Sequence, residues 1–213
     1  MLLPYRGAYL LSLLGVVACQ AVLGIEDAEV DPSLSQPAQV VDDGGVPDGM
    51  PPPNALSTCE RYCETVTQTC AGEFAQYTTV ESCLGVCELL PEGTDGDTSG
   101  NTVFCRLQAA GQAPLEPSFY CPVAGPGGNG VCGTNCEGLC SLVQTLCSDN
   151  DKLPADCLGA CAELPDTEVY SVAPDLEVFK GKQVQCRLYH ASVATETDTE
   201  QHCQHALGGS PCD

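Results

Sequence analysis

The stretch TCERYCETVTQTC, residues 58–70, returns further along the chain as NCEGLCSLVQTLC, residues 135–147. In both, three cysteines and a valine recur at steps of four, three and four: Cys59, Cys63, Val66 and Cys70, then Cys136, Cys140, Val143 and Cys147. Those steps place the four side chains on one face of a helix and turn Glu60, Arg61, Glu64 and Glu137 outward.

The repetition extends well beyond these helices. The chain has 17 cysteines in 213 residues. With Cys19 set apart, the other sixteen fall into two sets of eight, Cys59, Cys63, Cys70, Cys83, Cys87, Cys105, Cys121 and Cys132, followed by Cys136, Cys140, Cys147, Cys157, Cys161, Cys186, Cys203 and Cys212. Leu84-Gly85 matches Leu158-Gly159, Leu90-Pro91 matches Leu164-Pro165, and Cys105-Arg106-Leu107 matches Cys186-Arg187-Leu188. A conserved order of this kind marks a tandem duplication.

The expected fold is therefore all-α, small and disulfide-rich: two tandem helical-hairpin modules with glycine-rich loops at AGPGGNGVCG (124–133) and ALGGSPCD (206–213). Ser57 with Glu60, Thr78 with Glu81, Thr134 with Glu137 and Thr197 with Glu200 fit the capping-box pattern, and Pro154 suits a first helical turn. A third helix in each module is expected to carry Cys105 or Cys186.

Two cysteine pairs that each span one helical turn can close an antiparallel hairpin with two parallel rungs. Equal spacing selects Cys59–Cys87, Cys63–Cys83, Cys136–Cys161 and Cys140–Cys157. Pairing Cys70 with Cys83 would set a seven-residue rise against a four-residue one. The remaining bridges are expected as Cys70–Cys105, Cys121–Cys132, Cys147–Cys186 and Cys203–Cys212, although eight cysteines allow 105 pairings. The twin pattern of these four cysteines resembles the hairpin of the small translocase chaperones of the mitochondrial intermembrane space. That resemblance covers the hairpin cysteines alone and implies a local fold, not a shared function.

The N-terminus sets the redox compartment. One charge, Arg6, precedes the apolar run AYLLSLLGVVA (8–18), which has the length of a signal-peptide core and is too short to span a bilayer. It ends Val16-Val17-Ala18-Cys19, which resembles the lipobox of bacterial lipoproteins. The resemblance implies cleavage before Cys19 and acylation of that residue, with Gln20 pointing to the outer membrane. An unpaired seventeenth cysteine in an exported chain argues the same way. The general pattern is also similar to uncharacterised cysteine-repeat lipoproteins. The expected organisation is a signal peptide over 1–18, an acylated and tethering segment over 19–54, and modules over 55–132 and 133–213. The tether carries seven acids, no base and the run Pro51 to Pro53, a composition that cannot bury enough apolar surface to offset its ordering entropy.

Acidic residues outnumber basic ones 29 to 7, and loss of Arg6 with the signal takes the formal charge from -22 to -23. Such a field repels nucleic acid and anionic headgroups. The membrane is expected as a partner only through the lipid, beside an unidentified envelope protein, and no cofactor is expected.

For chemistry, all three histidines, His190, His202 and His205, lie in the second module, where the first holds Ala109, Tyr120 and Val123. Clustered imidazoles suit a metal ion, with Glu200 as a completing carboxylate. The oxygens of Asp95-Gly-Asp97-Thr-Ser99-Gly100 resemble the first half of a calcium loop, but Arg106 stands where the bidentate glutamate belongs, and a solvated turn is expected. Neither a Cys-x-x-Cys redox pair, a Gly-x-Ser-x-Gly elbow nor a phosphate loop is present. The chain thus reads as a non-enzymatic structural or interaction component of the bacterial cell envelope. The alternative is a metal-binding envelope protein that uses the histidine cluster.

Overall fold

Helix α1, Thr58–Thr69, and helix α2, Val80–Cys87, lie side by side with two rungs of sulfur between them. A computed structural model describes residues 55–173 and 180–213 of the chain. The signal segment, Cys19 and the tether lie outside the described residues. Helices α3, Val103–Gln112, and α4, Pro117–Ala124, complete the first eight-cysteine set. The second set repeats the order with α5, Asn135–Leu146, α6, Cys157–Ala162, α7, Val184–Val193, and α8, Thr199–Ala206. Among the described residues there are no strands, so the fold is a small all-α one rich in disulfides.

Local chemistry accounts for most helix starts. Ser57 and Thr134 form capping boxes with Glu60 and Glu137, as their spacing implies. At α2 the cap is Thr79, whose hydroxyl accepts from Ser82 N, and not Thr78; at α8 it is Asp198, which accepts from Gln201 N, and not Thr197. Helix α6 starts at Cys157 under an Asp156 cap, so Pro154 precedes the helix instead of opening it.

All sixteen cysteines from Cys59 to Cys212 are bridged. The hairpin rungs are Cys59–Cys87, Cys63–Cys83, Cys136–Cys161 and Cys140–Cys157, the pairs selected by equal spacing. The other four differ from the sequence expectation. Cys70 bonds Cys121 instead of Cys105, and Cys105 bonds Cys132, so there is no Cys121–Cys132 bridge. Likewise Cys147 bonds Cys203 instead of Cys186, and Cys186 bonds Cys212, which replaces Cys203–Cys212. Both sets therefore share one connectivity.

The reason lies in Arg106, which follows Cys105 and is fully buried. Its guanidinium donates to Gly125 O at 3.0 Å and Pro126 O at 3.0 Å, drawing the loop that ends in Cys132 toward Cys105. Helix α4 packs on α3 and against α1, which brings Cys121 to the C-cap residue of α1, Cys70. In the second set Arg187 lies against the terminal loop that carries Cys212, so close that a Cβ on Gly208 would sit 2.5 Å from Arg187 Nη2.

The core is thin, as the absence of tryptophan implies. Cysteines, Val66, Val86, Leu142, Val143 and Leu188 fill it, with Tyr62 at the centre of the first set. The Tyr62 hydroxyl meets Tyr77 Oη at 2.7 Å and donates to Ala124 O, and burial pushes its pKa up to about 12, so it stays neutral. At the turn after α4, Gly128, Asn129 and Gly130 all have positive φ (74°, 46° and 81°), which is why this loop needs glycine.

The two sets pack on each other. Thr79 Oγ1 donates to Glu196 Oε2 at 2.8 Å, Ser82 Oγ to Ser192 O at 3.1 Å, and Ser171 Oγ to Glu73 O at 2.8 Å. Asn101, which accepts from Arg106 Nη2 at 2.7 Å, also donates to Ser141 Oγ of α5 at 3.0 Å.

Candidate functional site

Helices α7 and α8 are joined by a five-residue connection, residues 194–198, and pack closely. His190 stands in the last turn of α7; His202 and His205, three residues apart, share one face of α8. The packing brings the three rings together. His190 Nδ1 is 2.9 Å from His202 Nδ1 and 3.3 Å from His205 Nδ1. The His190 and His202 rings stack at 29°, whereas His205 meets His190 edge-on at 76°. His190 is buried, and His202 and His205 are half-buried, so the group opens toward solvent on the α8 side.

Burial holds the His202 pKa below its ordinary value, the neighbouring His205 pushes the same way, and the Asp198 carboxylate opposes both. The first two influences favour the neutral imidazole, the form that can coordinate a metal ion. Such a set of converging ring nitrogens can share a proton or hold a cation.

Glu200 is not part of this group. It lies with Thr199, Cys203 and Gln204 along a separate cleft against Cys147, Asp149 and Asn150 of the preceding loop. Two residues apart on α8, Glu200 and His202 project about 200° apart around the helix axis. Cys186 and Cys212 come within reach of His190, but both sulfurs are in a disulfide. At the calcium-like stretch, Asp97 Oδ2 accepts from Thr94 N at 2.9 Å and Thr102 Oγ1 at 3.1 Å, a carboxylate tied into a turn.

Two features escaped the sequence reading. One is Arg106 as a buried organiser of four acceptors: Gly125 O, Pro126 O, Thr102 O and Asn101 Oδ1. The recurring Cys-Arg-Leu marked the position, but not its burial: Arg187, its counterpart, is only partly buried. The other is that Ala109, Tyr120 and Val123, the counterparts of the three histidines, line one small pocket between α3 and α4 beside Cys105–Cys132.

Residues 54–135 match the model of the BfoA family C-terminal domain, under half of the chain and spanning the first eight-cysteine set. Two proteins from different strains of Aspergillus niger, each described as Aurasperone B biosynthesis cluster protein A, are 32% identical over 71 residues, 33% of this chain. The chain spans 23% of the length of these curated relatives. No solved structure matches the chain.

Proposed function

We propose that this chain is an exported module of the bacterial cell envelope, lipid-anchored at the outer membrane, acting as a structural or protein-interaction component.

The acylated residue in this reading is Cys19, the membrane is met through the lipid, and residues 19–54 hold the folded part away from the bilayer. The observation that carries it is the closed set of bridges: sixteen cysteines pair among themselves, and the odd seventeenth is the one in the lipobox-like Val16-Val17-Ala18-Cys19. Eight disulfides persist only in an oxidising compartment. They also leave no thiol in the described residues to act as a nucleophile or redox group, which favours a scaffold over an enzyme. The similarity to the BfoA family C-terminal domain covers one eight-cysteine set, which supports a module that also occurs within longer proteins. Among the described residues no helix is long and apolar enough to cross a membrane, so attachment rests on the lipid in this proposal.

Intact mass of the membrane-extracted protein, alkylated before reduction, tests the reading. The expected result is an acylated N-terminal Cys19 and no alkylated thiol. A chain with an unmodified Cys19, or with alkylated cysteines, overturns it.

A further inference from the structure

We propose that His190, His202 and His205 form a binding site for one divalent metal ion of the zinc(II) or copper(II) class, with three nitrogen ligands and a fourth position left to solvent. The inference goes beyond the scaffold reading and does not depend on the lipid anchor.

Geometry is the first support. A tetrahedral ion with metal–nitrogen bonds of about 2.0–2.1 Å sets its ligand nitrogens about 3.3 Å apart. The two Nδ1 separations from His190 are 2.9 and 3.3 Å, and one ligand atom from each of the three rings lies within 4.8 Å of the others. Small rotations of the side chains suffice to receive the ion.

Proton counting is the second. A hydrogen bond between two ring nitrogens uses one N–H and one lone pair. His190 Nδ1 faces both His202 and His205, yet it carries a single proton or a single lone pair to serve two contacts. A cation at the centre satisfies three lone pairs at once.

The duplication supplies an internal control. The same three positions line one pocket in the first set, where Ala109, Tyr120 and Val123 supply no imidazole. Packing of α3 on α4 therefore needs no imidazole there, and the second set has placed every histidine of the chain in the equivalent position.

The donor set defines the class of ion. Imidazole nitrogens suit zinc(II), copper(II) and nickel(II) and disfavour calcium and magnesium, which take oxygen ligands. The nearby Cys186, Cys203 and Cys212 are oxidised and supply no thiolate. With Glu200 directed into the other cleft, no carboxylate among the described residues is grouped with the three imidazoles, and the fourth position falls to water or an outside ligand.

The test is titration of the full, oxidised, chelator-treated chain with zinc(II) chloride, read by competition with a chromophoric chelator, and with cobalt(II), read by its visible spectrum. Expected are one ion per chain and a tetrahedral cobalt spectrum. His202→Gln and His205→Gln, both half-buried positions on α8, should each weaken binding by more than about tenfold while the disulfide-linked fold stays intact by circular dichroism. Absence of saturable binding overturns the proposal. So does binding that the two variants leave unchanged, which would assign the ions to the acidic surface instead.

Discussion

Cys147 at the end of α5 and Cys203 on α8 are 56 residues apart in the chain and joined by a disulfide, with Cα atoms 5.5 Å apart. Cys70 and Cys121 make the matching bond in the first set with the same Cα separation. Proteolysis of the oxidised chain should therefore release peptides linked Cys70–Cys121, Cys105–Cys132, Cys147–Cys203 and Cys186–Cys212. Mass spectrometry that finds Cys70–Cys105 or Cys203–Cys212 peptides instead would remove the shared connectivity.

The hairpin rungs should differ in effect from surface changes. Replacing Cys63 and Cys83 together with alanine removes a buried bridge and should cost about 2–4 kcal/mol in unfolding free energy. Urea denaturation of the oxidised protein measures it, and a loss near zero would show that the thin core alone holds the hairpin.

Arg106→Met should destabilise by about 3 kcal/mol, because Gly125 O, Pro126 O, Thr102 O and Asn101 Oδ1 lose a buried donor together. Arg106→Lys should recover only part of this, since an ammonium cannot span a fork of acceptors. The denaturation midpoints of the two variants decide the matter; equal midpoints for arginine and methionine would refute the organising role.

Gly138 lies where α5 touches the Pro126–Gly127 turn, and an added Cβ would sit 2.2 Å from Pro126 O. That neighbour is backbone and cannot swing aside. Gly138→Ala should therefore lower stability by about 1–3 kcal/mol, despite alanine's better helix propensity. An unchanged or raised melting temperature would contradict the contact.

His202 makes the metal-free chain sensitive to mild acid. Its folded pKa lies below the ordinary histidine value of 6.5, set by burial and His205 against the opposing Asp198, with His190 in contact across from α7. Above 6.5 the ring is neutral in folded and unfolded chains and exerts no pH effect. As pH falls below that value the unfolded chain takes up the proton first, so stability drops until the folded pKa is passed. Comparing urea midpoints at about pH 7.5 and about pH 5, wild type should lose more than His202→Gln. An equal loss in both would assign the acid sensitivity to the carboxylates.

How much of this was legible in the chain follows from the range of each interaction. Helix faces and hairpin rungs depend on spacing along one or two helical turns, so Cys59, Cys63, Cys83 and Cys87 declared their partners. The capping boxes at Ser57 and Thr134 are equally local. At α2 and α8 a neighbouring cap competed, and Thr79 and Asp198 took the place of Thr78 and Thr197 because the helix began one residue later. The histidine cluster was legible as a clustering within sixteen residues, but the convergence of ring nitrogens was not, since it needs α7 packed on α8.

By itself the sequence determined the helical class and the four hairpin bridges, because each follows from periodicity. Tertiary structure alone decided the other four bridges, the Arg106 anchor and the turning of Glu200 away from the histidines. Those depend on where α4 and α8 come to rest against helices distant in the chain, a placement set by buried contacts that no local spacing encodes.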